Sequence, residues 1–356
     1  MHAMTATNYL DHLPGRTIHI AGQEWLYFSG TGYLGMGHDP EFQALLLEGT
    51  ARYGIHFGGS RLSNIRLTIF EETERFLADY TGVEAALVLS SGSLAGQLLV
   101  KWLREWGNLQ LAPGTHPALW DRQQPIRQTW EEWVRSILEV ESQKNEPLVL
   151  LANSIDPLQV EQFDFDWIQQ LPVDRETLLV IDDSHGFGVT GVDGAGILTR
   201  LHAPSQVTVM AISSLGKAFG IPGGTILGPQ RILDQLWQSP YVGGASPAPP
   251  AYLYAFLRAQ AIYQKKRGQL QQNIQQFVSG LIVPMEMRNI VDFPLFYIPD
   301  EGIPAFLSSE QVLISSFSYP TLVDPTITRV VLNSGHHSSD IDRLTFLLNS
   351  FFVQKP

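Results

Sequence analysis

Two stretches decide how this chain is read: Thr177–His185, TLLVIDDSH, and Val207–Lys217, VTVMAISSLGK. Each is a short apolar run rich in branched residues that stops abruptly at polar, chemically active side chains. Such runs, buried on both faces, predict strands of a parallel sheet. Leu148–Ala152, ending in Asn153-Ser154, and Ala85–Leu89, ending in Ser90-Ser91-Gly92-Ser93, repeat the pattern. Helical segments lie between them, so the expected class is α/β with a mostly parallel central sheet. In such sheets ligands bind at the carboxyl ends of the strands, and here those ends carry Ser, Asp, His and Lys.

Outside this core the pattern changes. Residues 17–36 predict short strands and glycine turns, Asp39-Pro40 opens a helix, and Asn64–Tyr80 predicts an amphipathic helix with Ile69, Phe76 and Tyr80 on one face. After Pro250 come a long helix, strand-like runs at Val291–Ile298, Gln311–Phe317 and Thr328–Leu332, and a closing helix at Ser339–Phe352. The expected organisation is a large domain over 41–250 and a smaller α+β domain over 251–356, joined by the N-terminal segment 1–40.

Composition narrows the function. The chain has 356 residues, a formal net charge of −12 and no cysteine. Disulfides and thiolate chemistry are excluded, and the acidic balance argues against nucleic acid as a partner. No stretch approaches the apolar length of a membrane span, and Met1–Leu13 lacks a signal-peptide core, so a cytoplasmic location is expected. The basic cluster Lys265-Lys266-Arg267 reads as a solvated face.

Lys217 is the most informative residue. It follows a buried strand and sits among hydroxyls and glycines, a setting in which desolvation favours the neutral, nucleophilic amine. Asp182, at a strand end, suits the pyridine nitrogen of pyridoxal 5′-phosphate (PLP), keeping the ring cationic and electron-withdrawing. His185 suits the cofactor's phenolic oxygen. Ser91-Gly92-Ser93 opens a helix whose N–H groups favour phosphate, and Ser214 adds a hydroxyl. Arg329, inside the apolar run 326–332, fits a substrate carboxylate or, equally, an internal salt bridge. No metal site is expected: Asp182-Asp183-Ser184-His185 has no spaced partner ligand. Gly30-Thr31-Gly32-Tyr33-Leu34-Gly35 matches a dinucleotide motif, but the helix signal begins only at Asp39, so it reads as a glycine turn.

At these residues the chain resembles the fold-type I PLP-dependent transferases, and within them the α-oxoamine synthases. The resemblance rests on Tyr27-Phe28-Ser29, Tyr33-Leu34-Gly35, Gly58-Gly59-Ser60-Arg61, Ser91-Gly92, the segment Asp182–Val189, Gly216–Gly220 and Asp340–Leu344, and it covers nearly the whole chain. It implies Lys217 as the Schiff-base lysine, Asp182 and His185 as its catalytic partners, and His116 stacked on the ring. It further implies Gly92, Ser93 and Ser214 at the phosphate, Ser154 against the cofactor, and Arg329 on the substrate carboxylate. Ser246 would reach the phosphate from a neighbouring subunit, making the protein a homodimer.

The reaction implied is condensation of an amino acid with an acyl-CoA. Thr31 and Phe70 stand where the family has asparagine and histidine, the N-terminal helix is short, and a tryptophan-rich segment surrounds Trp130 and Trp133. These departures leave two alternatives open. One is an aminotransferase acting on a 2-oxo acid; the other is a non-catalytic PLP-binding homologue or partner subunit.

Overall fold

The computed structural model describes residues 8–121, 127–141, 144, 146–282, 287–319, 321 and 324–354. Most of Met1–Leu13, used above for the absent signal sequence, lies outside them. The chain divides into two compact units, one of residues 41–156 and 162–260, the other of residues 1–40, 157–161 and 261–356.

The larger unit is built on a six-stranded sheet. Across it the strands run Ala85–Leu89, Gly224–Gly228, Val207–Ser214, Thr177–Asp182, Leu148–Asn153 and Asn108–Leu111. The last four of these pair in parallel, while Gly224–Gly228 is antiparallel to both its neighbours. The central strands are apolar at nearly every position because both faces are covered. Side chains alternate between two cores. Leu151, Val180 and Ile212 face the layer containing Gly92–Leu103 and Gln230–Trp237. Leu150, Ala152 and Ile181 face the layer containing Trp130–Glu139 and Asp166–Gln170. This parity decides where the strand-end side chains point.

The tryptophan-rich segment is part of that second layer. A Thr129–Glu132 capping box starts its helix, and Trp130 stacks on Phe163 with centroids 4.3 Å apart. The helix expected over 64–80 runs instead from Thr68 to Thr81. Upstream, Ser60 Oγ accepts from Leu62 N–H and Ser63 Oγ from Ile65 N–H, local bonds that compete with helical ones. Gly82, at φ 72°, ends it. Its buried face includes Ile69, Phe70, Glu74 and Leu77, with Phe76 and Tyr80 stacked on each other at the margin.

The smaller unit has its own six-stranded sheet, in the order Thr17–Ile20, Gln23–Phe28, Val312–Ser318, Thr326–Val331, Leu295–Tyr297 and Arg288–Asn289. The run read as Val291–Ile298 shortens to three residues. Asp292 takes a left-handed φ of 56° and Pro294 has no N–H for a ladder. Gly30 (φ 82°) and Gly35 (φ 58°) form turns, and among the described residues no long helix starts before Pro40. The basic cluster is not simply solvated: Lys266 Nζ pairs with Asp39 at 2.9 Å.

His336 is buried in this unit. Its Nδ1 accepts from Asn333 N–H at 3.1 Å, its Nε2 donates to the Tyr27 carbonyl at 3.0 Å, and its ring lies 4.1 Å from that of Phe28. Burial pushes its pKa down to about 4. The folded chain therefore resists a proton that the unfolded chain takes up below pH ~6.5. Stability falls as the pH drops through that window, by about 3 kcal/mol once the pH is below 4. Urea unfolding of wild type and His336→Gln between pH 7.5 and 4 should show this loss in the wild type and a smaller one in the variant.

Candidate active site

The functional residues of the larger unit gather at the carboxyl end of its sheet. Asp182 closes its strand with its carboxylate almost buried. It has the parity of Val180 and so emerges on the same face as the Gly92–Leu103 helix. Asp182 Oδ1 accepts from Ser184 N–H at 3.0 Å, and Oδ2 lies 4.0 Å from His116 Nδ1, too far for a hydrogen bond. Ser184 Oγ in turn accepts from Ser214 N–H at 2.9 Å, and Ser214 Oγ accepts from Gly216 N–H at 3.2 Å. A chain of short bonds thus joins Asp182 to the loop that begins the turn at Lys217. That loop is closed by Gly220 N–H on the Lys217 carbonyl and by Leu215 N–H on that of Gly223. Lys217 itself is half-buried, as is His185 on the turn after Asp182.

His116 lies in the loop after the edge strand, half-buried. Its Nδ1 accepts from Ala118 N–H at 3.1 Å, so the neutral ring carries its proton on Nε2. Burial lowers its pKa and the Lys217 charge adds to this, against the pull of Asp182. The ring is therefore held neutral beside the carboxylate and does not neutralise it.

Ser91 caps the Gly92–Leu103 helix, its Oγ accepting from Leu94 N–H at 3.1 Å. Gly92 packs directly on the neighbouring strand: a Cβ there would come within 2.9 Å of Ser214 Cβ. Gly224 is equally constrained, since its Cβ would lie 2.3 Å from the Ser91 carbonyl carbon. Side-chain-free backbone at these two points lets the helix N-terminus, with exposed Ser93, approach Ser214.

Three further expected residues, Ser154, Ser246 and Arg329, lie as follows. Ser154 is buried, and its hydroxyl donates to Asp183 Oδ1 at 2.5 Å. Asp183 has the opposite parity to Asp182, and its Oδ2 accepts from Ile197 N–H at 2.8 Å. The hydroxyl of Ser154 is thus committed to the far face of the sheet from Asp182. Ser246 is exposed in the larger unit. Arg329 belongs to the smaller unit, where it is buried in the strand Thr326–Val331, paired with Ser315 and Tyr297, and donates through Nη1 to the Pro157 carbonyl.

Burial, aided by the charge on Asp182, pushes Asp183 up to about 7 against the bonds from Ser154 and Ile197. A raised folded pKa favours the fold below the unfolded value near 4, an advantage lost as the pH rises through 7. Asp183→Asn should therefore gain stability relative to wild type between pH 4 and 8, by up to about 4 kcal/mol. Parallel urea titrations of the two proteins check this.

Asn153 and Ser184 were not singled out from sequence. Asn153 grips the His116 loop, and Ser184 spans the Asp182 and Lys217 strands. Their partners are backbone groups of distant segments. The available signal was the rule that a polar residue closing a buried strand must find a partner.

Residues 141–345, more than half of the chain, match the family model described as aminotransferase class I and II. The chain belongs to this family. The 8-amino-7-oxononanoate synthase of Pseudomonas savastanoi pv. phaseolicola is 26% identical over 348 residues, covering 93% of this chain and 87% of its own. A serine palmitoyltransferase from S. paucimobilis, solved with PLP and myriocin bound, superposes with a TM-score of 0.81 at 17% identity, covering 97% of this chain and 92% of its own. The 8-amino-7-oxononanoate synthase from Francisella tularensis superposes with a TM-score of 0.73 at 18% identity, covering 92% and 98%. The expected fold-type I transferase architecture is borne out, and so is the kinship with PLP-dependent enzymes of the α-oxoamine synthase group.

The site fits PLP. A buried carboxylate calls for a positively charged donor. Asp182 has one oxygen bonded to an N–H and the other near an imidazole that already accepts, a setting suited to a pyridinium N–H. Three capacities are then present at one sheet edge: a carboxylate for the ring nitrogen, a neutral flat imidazole, and a helix N-terminus backed by Ser214 for phosphate. Lys217, on the turn after Ser214, would supply the amine.

Proposed function

We propose that the chain is a PLP-dependent acyltransferase that condenses an amino acid with an acyl-CoA. The observation carrying this reading is the convergence of Asp182, His116, Ser214, the Gly92 helix N-terminus and the Lys217 loop on one edge of a fold-type I sheet. PLP supplies an electron sink for charge developing at the amino acid's α-carbon. Lys217 would hold the cofactor through its amine and would move protons at the amino acid's α-carbon. Asp182 Oδ2 would accept from the ring nitrogen and preserve its positive charge. His116 would cover the ring, and His185 would donate to the phenolic oxygen.

Gly92 and Ser93 offer backbone N–H groups to the phosphate, with the Ser214 hydroxyl beside them. Arg329 is assigned to the substrate carboxylate through its planar guanidinium. Ser154 acts on the cofactor only indirectly, through Asp183. Exposed Ser246 reaches the phosphate of a second copy, which makes a homodimer the working assembly; the same reading places the enzyme in the cytoplasm. No described helix is long and apolar enough to cross a membrane.

The test is release of free thiol from a panel of acyl-CoAs, assayed with each amino acid in turn. The reading requires thiol release that depends on one amino acid. Transfer of the amino group to a 2-oxo acid without thiol release would overturn it.

A further inference from the structure

Asn153 and Asp182 are direct partners across the parallel ladder, so their side chains leave the same face of the sheet. Asn153 is buried and bonds at both ends of its amide. Its Oδ1 accepts from His116 N–H at 3.1 Å, and its Nδ2 donates to the Gly114 carbonyl at 2.7 Å. Gly114 sits at φ 69°, where a Cβ would lie 2.7 Å from Asp156 Oδ2. The loop is thus bent sharply and then gripped on both sides of the bend. Further on, Ala118 N–H fixes the His116 ring through Nδ1. Each of these bonds is to backbone, so together they set the loop's path.

We propose that Asn153 is a positioning residue that seats the His116 imidazole, in its Nε2–H form, over the ring-binding side of Asp182. The inference rests on the reading of the site as a PLP site. Asparagine suits the task because one side chain must both accept from an N–H and donate to a carbonyl. Aspartate matches the first partner but repels the second, and adds a charge beside Asp182. Alanine removes the side-chain partners of the Gly114 carbonyl and the His116 N–H.

Two measurements on the full chain separate this role from general support of the fold. The first is ¹⁵N NMR of histidine-labelled chain without cofactor, which reports the His116 tautomer and its titration. Wild type is expected to show the Nε2–H form with a depressed pKa. Asn153→Ala and Asn153→Asp are expected to show mixed tautomers titrating nearer the free-histidine value. The second is PLP affinity by absorbance titration, expected to weaken by about tenfold in Asn153→Ala, the effect of one buried hydrogen bond.

His116 signals unchanged in both variants would overturn the inference, whatever happens to the melting temperature. So would a His116 that changes while PLP affinity stays at the wild-type value. If wild type bound no PLP, the reading of the site would fail, while the NMR comparison would still report on Asn153's grip on the loop. Should Asn153→Ala not fold, Asn153→Asp, which keeps the Oδ1 acceptor, carries both measurements.

Discussion

Lys217→Ala is expected to abolish covalent attachment of PLP and to lower turnover by on the order of 10⁴-fold or more, as loss of a covalent catalyst does. The loop carrying Lys217 owes its shape to backbone bonds at Leu215, Gly220 and Ile221 and to the Ser214 hydroxyl. None of these uses the lysine amine. The variant should therefore fold as wild type does and still take up PLP reversibly, since the carboxylate, imidazole and phosphate contacts remain. Absorbance spectra and thiol-release assays on the purified variant check both halves. Turnover within tenfold of wild type would remove Lys217 from the chemistry.

Asp182→Asn is expected to reduce kcat by about 10²- to 10³-fold, the usual cost of removing one well-placed electrostatic partner. Asparagine keeps an acceptor for Ser184 N–H but cannot hold a positive charge at the ring nitrogen. The amide can still accept one hydrogen bond there, so KM for the amino acid should change much less than kcat. The imidazole of His116 should also lose the pull of the Asp182 charge and bind protons still more weakly. A steady-state comparison of kcat and KM decides between this and a structural role, for which the fraction of folded protein would fall instead.

How far the site could be read from the chain depended on what kind of partner each residue has. Asp182 and Lys217 stand at the ends of unmistakable buried strands, so their place at the carboxyl end of the sheet followed from pattern alone. Gly92 and Ser91 followed from the helix start after Leu89. Asn153 and Ser184 look like ordinary strand-end polar residues in sequence. Their importance comes from bonds to His116 and Ser214, 37 and 30 residues away. Ser154 shows the opposite case. The family resemblance sets it against the cofactor, but nothing in its own pattern announces that its hydroxyl bonds Asp183, 29 residues away.

The fold shows the same division. Strands buried on both faces were readable because the covering layers demand apolar residues throughout. The start of the Thr68–Thr81 helix was not, because Ser60 and Ser63 divert the preceding backbone into side-chain bonds. Nor was the short strand Leu295–Tyr297, where the left-handed Asp292 interrupts an apolar run. Lys266 sits in a basic cluster that reads as solvated, yet it finds Asp39 some 230 residues earlier in the chain.

The central claim is that Lys217 carries PLP, and borohydride reduction of the PLP-loaded chain followed by peptide mapping tests it most directly. One stable reduced adduct is expected, on the peptide containing Ser214-Leu215-Gly216-Lys217, and none in Lys217→Ala. An adduct on any other lysine, or no adduct at all from PLP-loaded wild type, would contradict it.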